Sequence, residues 1–487
     1  MAISESSGAL PHAGETNLSR RVALIVAIAF FMQFLDGTII STSLPQIGAS
    51  FGVPAVGMSI GITVYLLTTA VFVPVSGWLA DRFGAREVFV AAIVVFTLSS
   101  LACGLARDLP EFILARAVQG VGGALMTPVG RVLVLRNAAK SDLLRATALI
   151  TWPALFAPVI GPVLGSFITT YLSWRWNFFL NPPLGILGVG LVLRYVPGSR
   201  EAGGQPLDWL GFVFASTGLA SVLWGFQRVA EPEGGPALTV ALIAAGAISS
   251  VLAIRHLSRA ASPLLDLSTF KIHTFSISTL SAGTYFRIAI NATPFLLPLL
   301  FQVGFGRSPV EAGLYIFAYF LGNLGMKSIT TPLLRRFGFR TVLIVNGLVA
   351  SLAIAGCAAI SPGTPWPLTI ALMIVAGLTR SMQFTALATL AFADVPPAQR
   401  SSASTLSAIL QQVAMVFGIA FAAAALNLSQ YLRGGGVPSA MDFRVAFLAI
   451  GAIGFVASFQ FLALPRDAAA EVSGHAPGPR RRGSNRP

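Results

Sequence analysis

Apolar residues run in long stretches along nearly the whole chain, and short clusters of glycine, proline and charge separate them. The stretches fall near residues 21–44, 57–80, 87–106, 111–135, 143–171, 175–196, 208–227, 236–255, 274–304, 309–334, 340–360, 366–393, 401–428 and 443–464. Each is about 18 residues or longer, which suits an α-helix that crosses a bilayer core. Backbone amides and carbonyls cannot stay unpaired in lipid. The pattern therefore predicts an all-α polytopic membrane protein with fourteen transmembrane helices.

Composition agrees. Of 487 residues, 55% are hydrophobic and 10% charged, against roughly 25% charged in a soluble domain. Four histidines and two cysteines leave little for a metal or disulfide framework, and Cys103 and Cys357 sit in separate apolar runs. Residues 1–20 are polar and Gly/Ser-rich without the layout of a cleaved signal, which predicts a disordered cytosolic tail. Residues 466–487 form a basic tail suited to lipid headgroups.

The formal net charge of +14 could indicate nucleic acid, but the placement of the basic residues argues otherwise. With the N-terminus in the cytosol, the inward loops collect Arg82, Arg86, Arg136, Lys140, Arg145, Arg194, Arg255, Arg259, Lys271, Arg335, Arg336, Arg340 and Arg400. The outward loops hold Arg107, Arg175, Arg228, Arg307, Arg433 and Arg444. This is the positive-inside asymmetry, with both termini cytosolic. The high charge reports topology, and no nucleic-acid partner is expected.

The chain repeats itself. "WLADRFGAREVFV" (78–90) matches "PLLRRFGFRTVLI" (332–344), with Arg82/Arg336, Phe83/Phe337, Gly84/Gly338 and Arg86/Arg340 in register. "RATAL" from Arg145 matches "RSSAS" from Arg400. Each copy spans six helices, giving six-helix bundles over 21–200 and 272–465 and a peripheral two-helix insertion over 201–271. Parallel halves of this kind suit a transporter with a site near the midplane.

Charge inside the apolar runs marks the chemistry. Asp36 lies deep in the first run, where a carboxylate costs at least about 2.5–3.5 kcal/mol on insertion scales. It must face a wet cavity, pair, or hold a proton; a structural hydrogen bond to a neighbouring helix is the bland alternative. Gln33, Asp36 and Ser43 share a helical face, as do Arg116 and Gln119, Arg287 and Asn291, and Tyr319, Asn323 and Lys327. Arg131, Arg380 and Gln383 complete the candidate cavity. One deep carboxylate against five deep cations favours anions, so an anionic metabolite or a metal-carboxylate chelate is the alternative to a cationic solute. Asp36, Arg116 and Lys327 are the proton-coupling candidates, because a desolvated lysine can also exchange a proton.

Together, "LDGTIISTSLP" (35–45), "GWLADRFGAR" (77–86), "LARAVQGVGGAL" (114–125), "GPVLGSF" (161–167) and "WRWNFFLNPPLG" (174–185) resemble the motifs of the major facilitator superfamily. The likeness is to its fourteen-helix drug:proton antiporter branch and covers about residues 20–465. It implies a major facilitator fold of two pseudo-symmetric bundles plus two extra helices, in a bacterial cytoplasmic membrane. It implies export of small molecules by alternating access, driven by proton motive force with no cofactor and no metal; adaptor or outer-membrane partners are not specified. It implies that Arg116 influences proton release and that Gly77, Asp81, Arg82, Gly84 and Arg86 form a cytosolic gate, with Gly84 at a positive-φ corner. Gly161, Pro162 and Gly165 match the helix-5 antiporter motif, although Trp152, Ala157 and Ser166 stand where glycines are usual. A membrane enzyme is disfavoured because no H-E-x-x-H, paired deep carboxylate or intramembrane histidine is present. "GNLGMKS" (322–328) lacks the spacing of a nucleotide-binding loop.

Overall fold

The computed structural model describes residues 13–137, 143–198, 206–229, 235–260, 263–396 and 399–474. Among them every regular element is helical. Thirteen stretches are long and apolar enough to cross a bilayer. We number the spans α1 (Arg20–Thr42), α2 (Ser59–Phe83), α3 (Ala85–Leu105), α4 (Leu109–Arg136), α5 (Leu149–Tyr171), α6 (Trp176–Tyr195), α7 (Trp209–Phe226), α8 (Ala237–Leu257) and α9 (His273–Gly304). The stretch Pro309–Ala359 has 51 residues, about 76 Å at 1.5 Å per residue, far beyond a hydrocarbon core of about 30 Å. Gly338, with φ 72° and ψ 162°, breaks it into α10 (309–337) and α11 (339–359). The remaining spans are α12 (Trp366–Ala393), α13 (Ser402–Leu432) and α14 (Ala440–Ala463), so the chain crosses fourteen times and returns its C-terminal end to the starting face.

Gly84, the counterpart of Gly338 in the repeat, has φ 97° and ψ 133°. Both glycines therefore adopt a conformation that L side chains resist, and each turns the chain between two spans. The sequence repeat is a repeat of backbone corners.

Two local expectations change. The first helix begins at Ala13, so part of the segment expected to be an unstructured tail is helical; residues 1–12 lie outside the described residues. A short helix, Ala470–Ser473, stands in the basic tail, whose residues 475–487 also lie outside. The expected continuous helix over 274–304 is interrupted: His273–Thr279 and Ala282–Leu299 meet at Leu280 and Ser281, where ψ of −108° takes Ser281 out of the helical region.

The inserted pair is tied to both six-span units. Gly218, Gly225 and Gly246 bring the backbones of α7 and α8 together. Phe212 of α7 meets Phe72 of α2 with ring centroids 6.0 Å apart, and Phe226 meets Phe417 of α13 at 4.9 Å. The pair thus straddles the seam between α2 and α13.

On the face opposite the chain ends, the two units meet directly. Gln302, at the end of α9, donates to the Thr42 carbonyl at 2.8 Å and accepts from Gln46 Nε2 at 2.9 Å. Gly313 of α10 lies against Ser166 and the Pro162 carbonyl of α5. Only a residue without Cβ lets those backbones approach so closely.

Candidate functional site

Asp36 is 1% exposed and Arg116 is fully buried. The carboxylate accepts from Arg116 Nη1 at 2.7 Å, from Gln119 Nε2 at 2.9 Å and from Asn181 Nδ2 at 3.0 Å. α1, α4 and α6 each supply part of the site. Arg116 also donates to Gln119 Oε1 at 2.6 Å and to the Gly61 carbonyl at 3.2 Å. Its guanidinium carbon stands 4.4 Å from the Tyr65 ring centroid, a cation–π distance. Asn181 is held in turn by Ser100 Oγ at 2.7 Å. A buried charge survives in apolar surroundings when it is paired and hydrogen-bonded; here the carboxylate is met by the guanidinium and two amides, while Arg116 Nη2 is buried without a hydrogen-bond partner. Gln33 stands nearby on α1, donating to the Gly123 carbonyl at 3.0 Å and accepting from Thr127 at 2.9 Å.

The other deep cations sit in different surroundings. Arg131 is exposed near the tail-side end of α4. Arg287 is 1% exposed and donates Nη1 to the Ser278 carbonyl at 2.7 Å. It therefore caps the carbonyl end of the interrupted helix in α9, where a cation is favoured by the helix dipole. Its Nε and Nη2 have no partner. Asn291 is buried on α9 where the backbone of Gly418 of α13 comes close. Lys327 donates to Thr385 Oγ1 at 2.6 Å, Arg380 lies 5.7 Å from the Phe320 ring centroid, and Tyr319 and Asn323 share their end of the α10–α12 contact. Gln383 is fully buried and spent on α11: it donates to the Leu343 carbonyl and accepts from Asn346 Nδ2. The structure thus gathers Asp36, Arg116 and Gln119 on one side and Tyr319, Asn323, Lys327 and Arg380 on the other, with Arg287 at the break in α9.

At the tail-side face, Asp81 accepts from Arg136 Nη2 at 3.0 Å, a pair within the first six spans. Arg86 Nη2 donates to the Leu193 carbonyl at 2.6 Å, tying the start of α3 to the end of α6. Gly84 makes the corner; Gly77 and Arg82 are exposed. In α5, a Cβ on Gly161 would strike Thr38 and one on Gly165 would stand 2.6 Å from the Ile39 carbonyl. These glycines let α5 lie on α1 while Pro162 faces Gly313 of α10.

Several site residues escaped the sequence reading. Asn181 was visible inside the "NPPLG" stretch, where a polar side chain opens a helix ahead of two prolines, but nothing in the sequence pointed it at Asp36. Tyr65, Ser100, Thr385, Gln46 and Gln302 are polar residues in or beside apolar runs whose partners come from other parts of the chain. Only the packing of separate spans brings them in.

Two six-span units that meet at a seam, with ionised groups buried between helices, fit a membrane transporter rather than an enzyme. The family model described as Major Facilitator Superfamily matches residues 26–419 and 287–483. The chain is 35% identical over 454 residues to the "Putative multidrug resistance protein MdtD" of Escherichia coli O6:H1, covering 91% of this chain and 94% of the relative. The protein of that name from Shigella flexneri matches to the same extent. Among solved structures, a D-xylose-proton symporter superimposes with a TM-score of 0.68 at 16% identity, over 92% of this chain and 99% of the other. The chain belongs to the Major Facilitator Superfamily.

Proposed function

We propose that this protein exports small molecules across a bacterial cytoplasmic membrane by alternating access, driven by protons, with both termini in the cytosol. The observation that carries the reading is the Asp36–Arg116 pair, in which one deep carboxylate is held by a guanidinium at 2.7 Å. A proton and the guanidinium are interchangeable partners for that carboxylate. When the first six spans rearrange and the pair parts, Asp36 takes a proton in place of Arg116; when the pair re-forms, it gives the proton up. Lys327 is a second group able to exchange a proton. The far-side contacts of Gln302 with Thr42 and of Gly313 with α5 are the gate that opens in the opposite half of the cycle, and the Gly77–Arg86 corner is the gate at the cytosolic face. The name of the curated relatives, which speaks of multidrug resistance, supports drug-like solutes. The partners are a small-molecule solute and the lipid bilayer, and the proton gradient replaces any cofactor.

The complete burial of the pair favours a second reading, in which it is a static brace of the first bundle. Reconstituted vesicles with an imposed proton gradient separate the two. Coupling predicts gradient-driven flux of ethidium or succinate that Asp36→Asn abolishes; a brace predicts a less stable variant whose flux per folded molecule still follows the gradient. Flux in the wild-type protein that ignores the gradient would end the proton-coupled reading.

A further inference from the structure

The last six spans hold cations that no carboxylate answers. Among the described residues of α9 to α14, the acids stand at helix ends and are occupied: Glu311 with Ser308 and Arg307, and Asp442 with Arg433 and Ser439. Asp394, just past α12, accepts from Thr274. Lys327 and Arg380 have nothing comparable, although both lie on one helix contact, Lys327 reaching from α10 to Thr385 and Arg380 from α12 to the Phe320 ring.

This closeness is built in. The backbones of α10 and α12 are drawn together by glycines on both sides. A Cβ on Gly377 would stand 2.9 Å from the Asn323 nitrogen and nearer still to the Tyr319 carbonyl, and one on Gly322 would strike the Ile374 carbonyl. The two helices cannot part without losing that contact. Thr385 holds the Lys327 ammonium at 2.6 Å through a neutral oxygen, and Arg380 Nε is buried without a partner.

The direction of the pair follows from spacing. Gly313, Phe320 and Lys327 are seven residues apart along α10, two turns each, and so share one face. At Gly313 that face touches α5 of the opposite unit. At Phe320 it carries the Arg380 guanidinium. Further along, at Lys327, it carries the ammonium. The two cations therefore lie along the face of α10 that meets the opposite unit at Gly313, inward of the far-side contact.

We propose that Lys327 and Arg380 form a subsite for the oxyanion group, carboxylate or phosphate, of a small solute held at the seam. A guanidinium offers a planar fork and an ammonium a compact charge, and together they match such a group. An anion in this position also supplies the counter-charge that the acids of these spans do not. The assignment rests on the reading that the seam is the transport path and names the chemistry of what travels there.

The test is binding to the detergent-purified full-length protein, read as a shift in melting temperature at fixed ionic strength. The probes are succinate, tricarballylate, inorganic phosphate and tetraethylammonium. The subsite predicts saturable stabilisation by the carboxylates, by phosphate or by both, and none by tetraethylammonium. Stabilisation by phosphate alone assigns the subsite to phosphorylated solutes, and by the carboxylates alone to organic acids. Lys327→Gln and Arg380→Gln should each weaken the anion about tenfold or more, with Lys327→Arg retaining most of the affinity. If a Gln variant does not purify as folded protein, Thr385→Val is the variant to read, with severalfold weaker binding expected from loss of the oxygen that orients Lys327. Absence of any anion effect, or anion binding unchanged in these variants, overturns the subsite. Flux in vesicles keeps the two claims apart. Anion binding without flux would overturn the transport reading and leave the subsite, whereas cation flux without anion binding would do the reverse.

Discussion

The two six-span units treat buried charge in opposite ways. In the first, Asp36 and Arg116 lie 2.7 Å apart, and Gln119 and Asn181 fill the remaining positions of the carboxylate. In the second, Arg287, Lys327 and Arg380 have neutral oxygens, aromatic rings or unpartnered nitrogens in place of a carboxylate. The repeat motif carries the same contrast, with Asp81 in the first copy and Arg335 in the second. Duplication preserved the corners of the backbone, at Gly84 and Gly338, while the charges diverged. A balanced pair can exchange one cation for another; an unbalanced cluster can receive an anion. On the proposed reading, the balanced pair serves coupling and the unbalanced cluster serves recognition.

The largest expected effect breaks the balanced side. Asp36→Asn should lower gradient-driven flux by about a hundredfold or more, because a neutral amide cannot alternate between guanidinium and proton. Close behind is a contrast in stability. Arg116→Gln leaves a buried carboxylate uncompensated and should cost about 3–5 kcal/mol. Arg287→Gln removes a charge that had no counter-ion and one hydrogen bond to Ser278, and should cost about 1.5 kcal/mol or less. Melting temperatures of the purified variants check the difference, and equal losses would erase the distinction between the units.

Smaller effects sharpen the geometry. Gly377→Val overpacks α10 against α12 and should cost about 1–3 kcal/mol while spreading Lys327 from Arg380, so anion binding should fall with it. Gln302→Leu deletes the bonds across the far-side seam, each worth about 1 kcal/mol. It should shift the population toward a far-side-open state, read as faster labelling of a cysteine placed at Ser166.

The smallest effect concerns the inserted pair. Burial alone would push the Asp208 carboxyl up, but the Gly211 N–H, the His256 ring at 2.7 Å and the Leu264 N–H outweigh it and hold the carboxyl below the usual range. Its contribution is therefore complete above the ordinary carboxylate range and is lost as pH falls through the lowered value. Asp208→Asn should flatten that acid limb of the stability profile.

The fold was legible because its signals are local. The length of an apolar run, the side on which arginines gather and the repeat around Arg82 and Arg336 all lie in contiguous sequence. The split of Pro309–Ala359 was visible as well, since "RRFGFR" interrupts it. The interruption of α9 at Ser281 was not, because neither Leu280 nor Ser281 carries a breaking signal; Arg287, six residues further on, reaches back to the freed Ser278 carbonyl. For the site, the chain showed which residues are charged and deep, and correctly made Arg116 and Gln119 neighbours. It could not show that Asp36 meets them, or that Gln383 turns to α11, because both facts depend on how separate spans are rotated about their axes. Asn181 illustrates the limit: its place ahead of two prolines marks a helix start, and only packing turns its amide toward a carboxylate on α1.

The division of labour between the units is tested most directly by flux of labelled succinate in vesicles, comparing wild type with Asp36→Asn under two regimes. With a proton gradient imposed, the wild-type protein should accumulate solute and the variant should not. With solute on both sides and no gradient, both should exchange it, since the Lys327–Arg380 subsite is intact in each. Gradient-driven accumulation by Asp36→Asn, or loss of exchange together with loss of accumulation in a correctly folded variant, would contradict the account.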